Sequence, residues 1–144
     1  MSADYVALAA SLEAEVESLF ATLAAERART AELLGEVKAM EADLDAAWDR
    51  YETAYAWAFG ERGVFPEIPK RWYPVVFRLV ERLDTALGED QKRDFTFTQI
   101  KEKHGGIRIY YNADGVADRD VIEPLVEQAE AEVERIERLH RRLR

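Results

Sequence analysis

The chain has 144 residues, of which 48% are hydrophobic and 34% are charged, and this balance excludes an intrinsically disordered protein. It contains no cysteine, so a disulfide framework, a thiolate nucleophile and a cysteine metal site are excluded as well. The net charge of −9 at pH 7 argues against direct nucleic-acid binding and against binding to an anionic membrane, because both depend on neutralising phosphates with Lys and Arg.

The N-terminal segment is expected to be neither a signal peptide nor a membrane span. It has no basic region at its start, and it carries the acids Asp4, Glu13, Glu15 and Glu17. We therefore expect a cytoplasmic protein.

Residues 2–59 predict one long helix, because they contain no proline and a single glycine, Gly35. With Val16 at heptad position a, only Glu26 and Thr30 are polar among the a and d residues. Such a pattern over about eight heptads is typical of a coiled coil or a long bundle helix. The residues predicted to hold copies of the chain together are Leu12, Val16, Leu19, Leu23, Leu33, Val37, Met40 and Leu44.

The pairing predicted for this helix is a homodimer or higher homo-oligomer with antiparallel helices. A parallel pair would set Glu36 of one copy against Glu41 of the other, whereas an antiparallel pair crossing near residue 28 brings each Glu26 close to Thr30 and Arg29 of its partner. Further apolar residues at position e widen the face: Val6, Phe20, Leu34, Trp48 and Tyr55. The alternative is a hairpin broken at Gly35, in which one chain covers its own apolar face.

A small α+β unit is predicted for residues 60–144. Its expected elements are a turn-rich connector (60–70), a helix (71–87), a polar loop (89–94), a β-hairpin (95–111), a turn (112–115) and a C-terminal helix (120–143). Pro74 suits the first turn of the first of these helices, and Asp120 with Glu123 resembles a capping box at the start of the second. The predicted fold is therefore α+β and mostly helical: a coiled-coil-like helix over 1–59, with the C-terminal helix packing back on it.

The predicted hairpin has one apolar and one polar side. Ile107, Ile109 and Tyr111 share the side expected to face the core, and Arg108 and Tyr110 share the other. Its turn gathers cations around two glycines: Lys101, Lys103, His104, Gly105, Gly106 and Arg108. These residues have two interpretations: the glycines supply a positive φ for the turn, or their N–H groups and the cations bind an anion or nucleotide.

The sequence offers little for catalysis. No G-x-S-x-G segment occurs, and the two histidines, His104 and His140, fall on different predicted elements. We therefore predict no catalytic residue, no bound metal, no cofactor and no enzymatic activity.

The segment from Lys101 to Tyr111 reads KEKHGGIRIYY and resembles a K-E-K-x-G-G-[LI]-R-x-Y-Y pattern of small, largely uncharacterised bacterial and phage proteins. The resemblance covers about residues 70–135 and includes Trp72 and Pro74 in the preceding helix. It implies no particular activity. Many of these proteins end in a cysteine-rich, metal-binding tail, which has no counterpart in a chain without cysteine.

The function predicted from these features is that of a non-enzymatic, self-associating binding protein that acts by occupying a macromolecular partner. The expected partner is another protein. The small size, the acidity and the resemblance to phage proteins together favour one concrete version, an inhibitor of a host defence nuclease of the anti-CRISPR kind. The acidic surface is either a solvated face or a mimic of nucleic-acid charge. The alternative function is a small anion or nucleotide sensor that uses the turn between Lys101 and Arg108.

Overall fold

The computed structural model describes residues 2–113 and 116–143. The chain divides into two compact units, Met1–Ala42 and Asp43–Arg144. In chain order the elements are α1 (Ser2–Ala54), α2 (Ala56–Phe59), β1 (Pro66–Glu67), a 3₁₀ turn (Lys70–Trp72), α3 (Tyr73–Ala86), α4 (Glu89–Arg93), β2 (Thr96–Lys103), β3 (Gly106–Asn112) and α5 (Val116–Arg142). The predicted fold class, α+β and mostly helical, is confirmed.

Helix α1 passes through Gly35 without interruption, so the alternative of a hairpin at this glycine is wrong. The predicted end at Phe59 is also wrong, because α1 stops at Ala54 and Tyr55 takes φ −115° and ψ 44°. The chain then re-enters a helix as α2, which buries Phe59 in the core (2% exposed). The sequence pattern does not reveal the break at Tyr55, because the residues before and after it both follow a helical pattern.

The core of the second unit lies between the helices and one face of the sheet. Its largest fully buried side chains include Trp72, Leu79, Leu83, Phe95, Phe97, Ile100, Ile107 and Ile122. The last turns of α1 contribute Trp48, whose ring centroid lies 4.9 Å from that of Tyr73 and 6.0 Å from that of Phe77. This part of α1 is therefore covered by the chain's own core.

The loop after α2 is held by Glu52. Its carboxylate accepts hydrogen bonds from the Trp48 indole (2.8 Å) and from the backbone N–H of Val64 (3.1 Å). Gly63 has φ +70°, and a Cβ built there would lie 2.8 Å from the Glu52 carboxylate oxygens. The positive φ favours glycine at this position, and a Cβ would push the Glu52 carboxylate away from its hydrogen bonds to Trp48 and Val64.

The three-stranded sheet has the order β1-β2-β3. Strands β2 and β3 form the predicted antiparallel hairpin, with an irregularity between Phe97 and Gln99, while the short parallel strand β1 was not predicted. Ile107 and Ile109 are buried, whereas Arg108 is partly exposed and Tyr110 is exposed, as the alternating pattern predicted. Tyr111, predicted to face the core, is partly buried against it.

Helix α5 begins at Val116, so the capping box predicted at Asp120 and Glu123 is wrong. Asp120 lies inside the helix with its side chain exposed, and Pro124 lies in the helix interior and not in its first turn. The Asp114-Gly115 part of the predicted turn lies outside the described residues. The main helical partner of α5 is α3, not α1, and α5 also packs on β3.

Ionic contacts join α5 to α3. Glu132 is buried and accepts hydrogen bonds from Arg78 (3.0 and 3.2 Å) and Arg82 (2.8 Å), both on α3. Burial raises the pKa of Glu132, but the hydrogen bonds from Arg82 and Arg78 outweigh it and leave the pKa lowered. These ionic contacts fix the side of α5 that faces α3.

Candidate functional site

The first unit carries an uncovered apolar surface along α1, which we call the α1 stripe. Between residues 5 and 40 its large apolar side chains are 42–71% exposed. They are Tyr5, Val6, Leu8, Leu12, Val16, Leu19, Phe20, Leu23, Leu33, Leu34, Val37 and Met40. Soluble monomers rarely expose a contiguous apolar surface of this extent, so the stripe is a candidate interaction site.

Leu44 was predicted as part of the same interface, but its surroundings differ. It is partly buried and packs against the chain's own core, together with Ala47 and Tyr51. The Tyr51 ring stacks on Phe77 with centroids 4.1 Å apart, and its hydroxyl donates to Glu81. The heptad pattern is the same on both sides of residue 43, yet its large apolar side chains are exposed before that residue, whereas Leu44 and Tyr51 after it pack against the core.

The middle of the α1 stripe contains the two polar seam residues. The Thr30 hydroxyl donates to the backbone carbonyl of Glu26 (2.9 Å), a contact within the helix that leaves only its acceptor capacity for another chain. Glu26 would therefore have to find a donor other than Thr30 in a second copy.

The hairpin turn consists of His104 and Gly105, with φ +56° and +78°, between the paired residues Lys103 and Gly106. Two consecutive residues with positive φ in a two-residue hairpin are typical of a type I′ turn. Gly106 was expected to share this role, but it is the first residue of β3 and its φ is not positive. The first turn position is taken by a histidine, which the double-glycine pattern did not reveal.

The predicted cations lie on neighbouring positions of the hairpin, with Lys101 opposite Arg108 and Lys103 opposite Gly106. The Lys101 ammonium lies 5.4 Å from the Tyr110 ring centroid, on the polar side of the sheet. The Arg108 guanidinium donates to the carbonyl of Ile107 (3.0 Å). Lys103 is exposed on the strand that precedes the turn.

Two arginines of α5 lie beside the turn. A surface depression of about 320 Å³ is lined by His104, Gly105, Gly106, Arg108, Glu134, Glu137, Arg138 and Arg141. Neither Arg138 nor Arg141 was among the residues predicted for this site. Their place beside the turn depends on how α5 packs on β3, which no local pattern shows.

Glu137, one of the two acids that line this depression, is held in place by hydrogen bonds. It accepts hydrogen bonds from Arg71 Nε (2.7 Å), Arg71 Nη2 (3.0 Å) and the buried Trp72 indole (2.6 Å). The hydrogen bond from Arg71 is the main reason that its pKa is lowered to about 2. Because Arg71 neutralises Glu137, this acid opposes an incoming anion less than its formal charge suggests.

The polar side of the sheet carries two exposed aromatic residues. Phe65 is 80% exposed and Tyr110 is 42% exposed, and both line a shallow depression with Glu67 and Gln99. Exposed aromatics of this kind are frequent at protein–protein contacts. Phe65 was missed in the sequence, where it reads as one residue of a glycine- and proline-rich connector.

No described group of three or more His, Cys, Asp or Glu side chains is placed to hold a metal ion. Within residues 2–113 and 116–143, no helix combines the length and the apolar composition needed to cross a bilayer.

The fold and its surfaces define a mostly helical α+β protein whose first unit exposes an apolar helix face. No family model matches the chain, and neither a curated protein nor a solved structure matches it.

Proposed function

We propose that the protein is a non-enzymatic binding protein that self-associates through the α1 stripe and uses its second unit to occupy a macromolecular partner. The observation that carries the self-association is the exposure of twelve large apolar side chains on one helix. Burial of one such side chain contributes about 1.5–3 kcal/mol, whereas association costs about 4–15 kcal/mol. Even partial burial of the stripe on two copies outweighs that cost.

A second copy is the cover that suits this stripe best, because the heptad pattern is self-complementary. When two identical helices pair antiparallel, every a residue meets a d residue of the partner, and both positions are apolar except at Glu26 and Thr30. A small ligand would leave most of a surface running from residue 5 to residue 40 exposed.

Light scattering coupled to size exclusion tests the self-association. The wild type is expected to be a dimer or higher oligomer at micromolar concentration, and Leu23→Asp with Leu33→Asp is expected to dissociate it, because unpaired buried charge is costly. The matched control is Ala21→Asp with Ala28→Asp, which adds the same charge at position f on the opposite side of α1. A monomeric wild type, or equal effects of the two pairs, would contradict the proposal.

The partner-binding part of the proposal is supported by the exposure of Phe65 and Tyr110. A pull-down would compare the wild type with Phe65→Ala/Tyr110→Ala and with Leu139→Ala, which removes another exposed apolar side chain (58% exposed). A protein retained by the wild type and by Leu139→Ala, but lost from the double variant, is the expected result. Equal retention by all three would exclude this surface. A host defence nuclease stays one predicted partner.

A second candidate function is anion binding beside the hairpin turn, and the presence of Arg138 and Arg141 next to Arg108 favours it. Inorganic phosphate and nucleotides would be screened by thermal shift. Loss of a shift in Arg138→Gln/Arg141→Gln, with the shift kept in the exposed control Arg135→Gln, is the expected pattern. A wild type whose melting temperature does not respond would refute it.

A further inference from the structure

The α1 stripe limits the ways in which two copies can align. In an antiparallel pair, each a residue faces a d residue of the partner. In this chain, that condition is met by three alignments. In each alignment the residue numbers of every facing a–d pair have the same sum, which is 42, 49 or 56. The alignment with the sum of 42 is centred on Ala21, and the alignment with the sum of 56 is centred on Ala28.

The alignment about Ala28, which the heptad pattern predicted, matches Glu26 with Thr30. It places the first turns of one helix along residues 44–51 of the other. There Leu44 and Tyr51 pack against the chain's own core, and Trp48 is only 4% exposed. The apolar face that this alignment requires is already covered, and Thr30 already donates its hydroxyl proton to Glu26.

The alignment about Ala21 covers the exposed residues instead. It overlaps residues 2–40 of both copies, which is the range that contains the whole stripe from Tyr5 to Met40. Leu19 then faces Leu23 of the other copy, and Tyr5 faces its Val37. Glu26 faces Val16 of the other copy. Its long side chain can reach past the seam, so that the carboxylate stays in solvent.

Charges beside the seam favour the same alignment. About Ala21, the e residue Glu13 faces Arg27 of the other copy, and the g residue Glu15 faces its Arg29. Symmetry repeats both pairs, so four opposite-charge contacts form.

The other alignments bring like charges together. About Ala28, each Arg27 and each Arg29 faces its own counterpart, and Glu13 faces Glu41. In the alignment with the sum of 49, Glu15 faces Glu36. Like charges in these positions are unfavourable.

We propose that two copies of the chain pair through α1 as an antiparallel coiled coil centred on Ala21, flanked by Glu13–Arg27 and Glu15–Arg29 contacts between the copies. This inference rests on the proposed self-association and adds its orientation and register. The occupant of the stripe is thus a second copy of the same helix, selected by the length of the exposed face and by charge.

Single-cysteine variants test the register directly, because the chain has no cysteine of its own. About Ala21, each Thr22 at position g faces the Thr22 of the other copy, so Thr22→Cys is expected to form a disulfide-linked dimer under mild oxidation. Arg29→Cys would report the alignment about Ala28, and Val37→Cys would report parallel helices. Ala21→Cys, at position f on the opposite side of α1, is the control for disulfides formed by random collision.

Charge reversal is an independent test of the register, because it should change the dimer dissociation constant in opposite directions for the two alignments. Glu13→Arg with Glu15→Arg places arginine against Arg27 and Arg29 about Ala21. The dimer dissociation constant should then rise by about tenfold or more, as expected for several lost ion pairs. About Ala28 the same change places arginine against acids, and the dissociation constant should fall. Sedimentation equilibrium measures both.

The outcomes separate this inference from the proposed function. Cross-linking at Thr22 together with weaker association after charge reversal supports the register. Efficient cross-linking of Arg29→Cys or Val37→Cys in a dimeric protein would overturn the register while leaving self-association intact. A wild type that is monomeric by light scattering would overturn both.

Discussion

Glu137 gives the sharpest stability prediction, because one carboxylate joins α5 to the residues that lead into α3. Each hydrogen bond to a charged group contributes about 1.5–3 kcal/mol, and a buried donor left unpaired costs about 1–3 kcal/mol. The Trp72 indole is 0% exposed, so Glu137→Ala leaves its N–H without this acceptor. The Arg71 side chain is 37% exposed, and water replaces part of its contact.

We therefore expect Glu137→Ala to lower the free energy of unfolding by about 3 kcal/mol and Glu137→Gln by about 1–2 kcal/mol, because the amide oxygen still accepts one hydrogen bond. Urea denaturation followed by tryptophan fluorescence measures both. Glu134→Ala is the matched control, since Glu134 is exposed on the same helix, and its effect should stay within about 0.5 kcal/mol.

The pH dependence of the same variants provides a second check. The pKa of Glu137 is lowered from 4.5 to about 2, chiefly by the hydrogen bond from Arg71. Because the folded-state pKa lies below the unfolded one, the stabilisation is complete above about pH 4.5 and is lost as the pH falls toward 2. The stability gap between the wild type and Glu137→Gln should narrow over that range. A gap that stays constant, or equal effects of Glu137→Ala and Glu134→Ala, would refute this reasoning.

Three further stability predictions follow from other contacts, each measured by urea denaturation. Gly105→Ala should cost about 1 kcal/mol or more because its φ is positive, while Gly106→Ala should cost less than half as much; equal costs would contradict the turn assignment. Gly63→Ala should cost more than Gly105→Ala, since its Cβ would also collide with Glu52; a smaller cost would show that the loop adapts. Glu132→Ala should cost about 3 kcal/mol, because it removes the buried partner of two arginines; a loss below about 1 kcal/mol would show that they are solvated instead.

The elements that the sequence predicted well are those with a local cause. A long segment without proline becomes a helix even across Gly35, since one glycine costs only about 1 kcal/mol in a helix interior. Alternating β-formers around a two-residue turn become a hairpin, and their alternation separates a buried side from a polar side.

The features that the sequence missed depend on contacts between distant residues. Strand β1 exists because Pro66 and Glu67 pair with residues of β2, and the early start of α5 did not follow from its capping pattern. The depression beside the turn needs Arg138 and Arg141, which only the packing of α5 brings to Arg108.

The heptad pattern by itself determined that α1 is a helix with one apolar face, because side chains at steps of three and four lie on the same side of a helix. It did not determine what covers that face, since the same apolar residues suit the chain's own core or a second copy equally well. Tertiary structure decided this for the last turns of α1. Trp48 and Tyr51 meet Phe77 from α3, whereas the residues from Tyr5 to Met40 meet no other described element of their own unit.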